Sequence, residues 1–170
     1  MVAVMATNAT GGNASQPWTG DTGWVEIFDQ QSAPDLRIAY KIAASEGSSY
    51  TFTFGASVFL AGTILTYRYA AYDTIGTFTS SANPLILPSI SPSESQSILI
   101  AAGARNAASI TLGTPTDMTA RVTDSDGTSP SYIVCDQTVA KGPTGTRSMS
   151  TGSTSSVAGI MLAIKPTRSL

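Results

Sequence analysis

Over residues 35–44, Leu36, Ile38, Tyr40 and Ile42 alternate with Arg37, Ala39, Lys41 and Ala43. A period of two marks a strand with one buried face, and here it sets the cations Arg37 and Lys41 on a solvated outer face. Tyr50, Phe52 and Phe54 alternate with Thr51 and Thr53 in the same way. Ser45-Glu46-Gly47-Ser48 between the two runs is turn chemistry, so together they predict a hairpin. Residues 58–69 form a longer run with Gly62 inside it, which reads as one bent strand or as two joined by a bulge. Asn83-Pro84, Leu87-Pro88 and Ser91-Pro92 follow, too much proline for a central strand because each ring removes a ladder donor, and the segment predicts a crossover loop. Further strands are expected over 97–102, 118–123, 132–139 and 157–164, separated by Gly, Pro, Asp and Asn, and no helix is predicted. The pattern therefore predicts an all-β fold: an antiparallel two-sheet sandwich with jelly-roll or related Greek-key wiring over residues 21–170.

Residues 1–20 differ. They are mostly Ala, Thr, Asn and Gly with no period of two or of 3.6, and are read as an extended N-terminal arm without a core of its own, laid against a neighbouring subunit. The opening Met1-Val2-Ala3-Val4-Met5-Ala6 carries no cation and is too short for a secretory h-region. No run approaches the length that spans a bilayer as a helix, so the expectation is a protein made in a cytoplasm with no membrane partner.

Composition sharpens this picture. Only 12% of the 170 residues are charged, whereas 46 are Ser or Thr, so the polar surface is hydroxyl-rich rather than ionic. The 9 Lys and Arg are scattered and the net charge is −2, which leaves no basic stripe for a nucleic acid. A weakly charged surface with mean hydropathy of +0.11 offers little repulsion between copies and suits assembly. The single Cys135 sits in the apolar run Tyr132-Ile133-Val134-Cys135 and is read as a buried, inert thiol.

Candidate chemistry is sparse. There is no histidine, which removes Ser-His-Asp and Cys-His nucleophile systems and the commonest zinc ligand. Glu26, Glu46 and Glu94 lie near turns or on alternating strands and read as solvated acids rather than a glycosidase pair. Asp124-Ser125-Asp126-Gly127 resembles the opening of a calcium loop but lacks the later bidentate Glu, and an Asp-Gly step between strands is the chemistry of a turn. Residues 141–147, Lys-Gly-Pro-Thr-Gly-Thr-Arg, lack the Gly-Lys-Ser/Thr ending of a phosphate loop and read as a connection. No catalytic, cofactor or metal residue is assigned. Trp18, Trp24, Tyr67, Tyr69 and Tyr72 remain as a possible sugar-stacking platform or, more simply, as core and subunit contacts.

In order along the chain stand Trp24, Leu36-Arg37-Ile38-Ala39-Tyr40-Lys41, Ser49-Tyr50-Thr51-Phe52-Thr53, and Gly62 with Tyr67-Arg68. Thr114-Pro115 with Met118-Thr119-Ala120-Arg121 follows, then Ala140 with Gly142-Pro143-Thr144-Gly145-Thr146-Arg147, and Gly159-Ile160-Met161-Leu162-Ala163-Ile164-Lys165-Pro166. This succession resembles jelly-roll modules of bacteriophage structural proteins, found in capsid decoration proteins and in fibre and tail appendages. The resemblance implies a non-enzymatic virion protein, above all a decoration or cement protein bound to the major capsid protein and self-associated as a homotrimer. The alternative it implies is a tail or fibre module that binds a host receptor or glycan.

Overall fold

The computed structural model describes residues 1–8, 18–20, 22–30, 34–54, 59–80, 82–125, 130–152 and 156–167. They form an all-β, antiparallel two-sheet sandwich, and no helix occurs among them. The first sheet takes β1 (Val2–Thr7), β3 (Val25–Asp29), β4 (Asp35–Tyr40) and β6 (Leu60–Leu65), in the order β3-β4-β1-β6. The second runs β11 (Thr119–Asp124), β12 (Ser131–Val139), β10 (Ser97–Arg105), β14 (Val157–Pro166), β7 (Ala70–Ile75), with β8 (Thr79–Ser80) also on β14. Both sheets contain neighbours far apart in sequence, a crossover wiring compatible with a jelly roll. Two short ribbons complete the molecule: β2 (Trp18–Gly20) pairs with β5 (Phe52–Phe54), and β9 (Leu85–Leu87) with β13 (Arg147–Met149).

Burial divides the core in two. Val2, Val4, Leu36 and Ile38 of the first sheet meet Ile100, Ala102, Tyr132, Val134, Ile160 and Leu162 of the second. The alternate residues of the second sheet, Leu99, Ala101, Ile133, Cys135, Met161 and Ala163, form a separate core under Leu85, Leu87, Ile90, Leu112 and Met149. Strands β10, β12 and β14 are thus covered on both faces, which is why they read as nearly unbroken apolar runs rather than alternation.

The outer layer approaches very closely. Gly103 and Gly159 stand opposite each other across β10 and β14. A Cβ on Gly159 would lie 2.5 Å from Leu85 Cδ2 and 2.8 Å from Leu87 Cδ2, and one on Gly103 would overlap Met149 Sδ. Only residues without a side chain admit the β9–β13 ribbon at this distance.

Four expectations are corrected. Residues 2–7 are no arm: β1 is an inner strand, paired over all six residues with both β4 and β6, and every residue from Val2 to Thr7 is buried. A strand buried on both faces needs no polar alternation, and its absence had made the segment look structureless. The arm expected over residues 8–20 falls largely outside the described residues. The hairpin expected from 35–44 and 50–54 does not form, because β1 and β3 occupy both edges of β4 while β5 pairs with β2. Within 58–69, one unbroken strand, β6, is followed by a turn, and the proline-rich stretch contributes one short strand, β9.

Removing residues 1–8 is therefore expected to abolish the cooperative thermal transition, since it strips β4 and β6 of their shared partner and opens the main core. Melting followed by circular dichroism, with loss of the native signal at room temperature, checks this.

Candidate interaction surface

The turn at residues 66–69 carries the chain from β6 in the first sheet to β7 in the second, and so bridges the sheets at one end of the sandwich. Its two tyrosines point in opposite senses. Tyr67 packs against the main core, and its hydroxyl donates to Asp136 Oδ2 at 2.8 Å, while Arg121 Nε donates to Asp136 Oδ1 at 2.8 Å. Burial and the adjacent Asp136 carboxylate push the Tyr67 phenol well above its ordinary range, so it stays a neutral donor. Tyr69 is 60% exposed and held in the left-handed region at φ 53°, with the Thr167 amide donating to its carbonyl at 2.7 Å. A bulky residue seldom adopts this conformation, and here it turns an aromatic ring out to solvent.

Open grooves flank this corner. One, of about 500 Å³, is lined by Met1, Ile42, Thr66, Arg68, Tyr69 and Thr167 among others; the second, of about 400 Å³, includes Gln96, Ile98, Thr138 and Lys165. Tyr40 and Tyr72 stack beside the first at 5.4 Å between centroids, so four tyrosines gather at this end. Ile42 is 61% exposed. The alternation over 35–44 had placed it in the core, but β4 ends at Tyr40, and nothing in the pattern marks that ending. The nearby cations are mostly matched: Lys41 Nζ lies 2.8 Å from Glu46 Oε2, and Lys165 Nζ 3.6 Å from Asp73 Oδ1.

The aromatic residues singled out from sequence are only partly brought together. Tyr67, Tyr69 and Tyr72 share the corner, whereas Trp24 packs edge-on against Tyr50 and Phe52 on another face. Trp18 contributes its backbone to β2. Asp124 ends β11, while Asp126 and Gly127 lie outside the described residues. Among the described residues no group of three His, Cys, Asp or Glu side chains is placed to hold a metal. In the 141–147 connection, the amides of Gly142, Thr144 and Gly145 already donate to Pro92 O, Ile90 O and Ser89 Oγ. Those donors are turned to the protein, not to a phosphate. Cys135 is fully buried, and burial with neighbouring Asp136 pushes its thiol up to about 11. Glu46 is engaged by Lys41, the Ala44 amide and Tyr50, which hold its carboxyl down at about 2.

Arg37 also departs from expectation. It is not a solvated outer cation but 1% exposed, with Nε 2.7 Å from Asp35 Oδ2 and 3.2 Å from Asp29 Oδ1, beneath the Phe54 ring. The outer face of the first sheet is covered here by β5, so its charges must be paired. Burial is the largest influence on Asp35 and raises its pKa from 3.8 to about 6, with Asp29 and Glu26 adding to the rise against the pull of Arg37. No family model, no curated protein and no solved structure matches this chain.

A raised carboxylate pKa means that the folded state binds the proton more tightly than the unfolded chain. The stability this contributes is complete below pH 3.8 and lost as pH rises through about 6. Between pH 5 and pH 7.5 the unfolding free energy should fall by roughly 1–3 kcal/mol through this group, and Asp35→Asn should remove that dependence. Urea unfolding of both proteins across this range measures it; equal slopes with pH would show that Asp35 is not the source.

Proposed function

We propose that this chain is a non-enzymatic bacteriophage virion protein, a head decoration or cement protein that binds the major capsid protein and stabilises the shell. The observation that carries the reading is the corner at residues 66–69. Exposed Tyr69 and Ile42 stand over open grooves whose lysines are already paired and whose further cation is Arg68, a surface built more for apolar and hydrogen-bonded contact than for charge attraction. The hydroxyl-rich, weakly charged composition and the ordered likeness to phage jelly-roll modules support the same reading. Self-association on the particle, in the trimeric form that the likeness implies, belongs to this proposal.

One feature favours the alternative of a tail or fibre module that binds a host glycan. The exposed Tyr69 ring borders a groove with the hydroxyl and amide groups of Thr138 and Gln96, a combination suited to sugar stacking and hydrogen bonding. The two readings part in a pelleting experiment with undecorated particles. Decoration predicts saturable binding at copy numbers commensurate with capsid subunits, little changed between roughly 50 and 500 mM salt because salt screens only charge terms. It also predicts binding indifferent to EDTA and weakened at least about tenfold by the pair Tyr69→Ala and Ile42→Ser, the loss of one or two buried apolar contacts. No binding to heads, with binding to host-cell glycan that Tyr69→Ala removes, would replace decoration by the alternative.

A further inference from the structure

Among the described residues the two sheets end on β3 and β6 and on β11, β7 and β8; β8 is only two residues long, and three of the other four edges are guarded. Strand β11 breaks register between Ala120 and Val122 and carries Arg121 and Asp124. Strand β3 breaks register between Glu26 and Phe28 and carries Glu26 and Asp29. Asp73 of β7 accepts from both the amide and the hydroxyl of Ser93, which lays the 93 loop against that strand. Bulges, charges and covering loops are the means by which sheets prevent edge-to-edge pairing.

Among the described residues, strand β6 has none of them. It runs Leu-Ala-Gly-Thr-Ile-Leu without charge or proline, and it pairs with β1 over six residues without a shift in register. Among the described residues no strand occupies its other edge. Leu60 is 46% exposed and the preceding Phe59 62%. Beside the edge lies an open groove of about 500 Å³, lined by Met5, Tyr50, Phe52, Leu60 and Ile64 around the side-chain-free Gly62.

We propose that the free edge of β6 is an interface with a second copy of this chain, the two β6 strands pairing antiparallel about a two-fold axis at Gly62. The choice of a second copy rests on self-complementarity. Leu60, Gly62 and Ile64 share the outer face of the sheet, and Ala61 and Leu65 face the core. A pairing centred on Gly62 keeps every side chain on its own face, because opposed positions then differ by an even number. It sets Leu60 of each copy opposite Ile64 of the other, apolar on apolar, and closes the groove beside each Gly62. With no charge in residues 59–66, identical strands meet without repulsion. A ring of three through this edge would require β6 to pair with a different edge, and those are guarded, so the assembly formed here is a closed pair. This inference does not depend on the virion reading: the pair is a contact in free solution, separate from the trimer proposed on the particle, which would use another surface.

Sedimentation velocity over a concentration series tests it. The protein should be dimeric by about 100 µM, and Leu60→Lys should raise the dissociation constant at least about tenfold, with melting unchanged at a dilution where the parent is monomeric. In a Cys135→Ala background, the double variant Leu60→Cys with Ile64→Cys should form an intermolecular disulfide on mild oxidation, while neither single variant does, because only positions 60 and 64 oppose each other. The double variant also decides the matter if Leu60→Lys fails to fold. A monomer at every concentration, an oligomer indifferent to Leu60→Lys, or single cysteines that cross-link as well as the pair would each overturn the proposal.

Discussion

The structure depends on the close approach of a thin outer layer to the second sheet. A sheet of small residues buried on both faces is unusual for an antiparallel sandwich, in which one face commonly meets water. Here Gly103, Gly159, Ala101 and Ala163 flatten one face of β10 and β14, and Leu85, Leu87 and Met149 fill the space that side chains there would have taken. The consequence is a second core within a chain whose single cysteine allows no internal disulfide. Charge is correspondingly scarce: where an ion group is enclosed, as at Arg37, it is matched by Asp35 and Asp29.

This constraint also shapes the surface. With the three central strands of the second sheet sealed on both sides, the described exposed apolar groups lie at ends and edges: Ile42 and Tyr69 at the sandwich end, Phe59 and Leu60 at the β6 edge, and Val25 and Ile86 singly on short strands. The Tyr67–Asp136–Arg121 chain of hydrogen bonds pins the corner from inside, while the left-handed Tyr69 presents its ring outward. An anchored turn with an outward aromatic loses little conformational freedom on binding.

Much of the second sheet was legible in the sequence. The runs at 97–102, 132–139 and 157–164 emerge as β10, β12 and β14 because long apolar segments bounded by Gly, Pro and Ser have few alternatives to a strand. Strand β1 was not legible, since Val-Ala-Val-Met-Ala-Thr lacks the alternation of a half-buried strand, and its partners lie about thirty and sixty residues away. Arg37 and Ile42 were misplaced for related reasons. Alternation assigns faces but reveals neither what covers the outer face nor where pairing stops, so a buried Arg and an exposed Ile both looked reversed. The corner at 66–69 left only its aromatic residues as a sign, because the left-handed Tyr69 and the reach of Tyr67 to Asp136 arise from tertiary contacts.

Backbone-to-side-chain contact across Gly159 holds the outer layer to the sheet, and thermal melting of Gly159→Val tests this most directly. Overpacking should cost about 2 kcal/mol or more, a fall in Tm of about 4 °C or more, while Gly47→Ala, with open space around it, melts within about 1 °C of the parent. A Gly159→Val protein that melts with the parent would mean that the β9–β13 ribbon does not pack on the sheet as described, and the two-core architecture would fail with it.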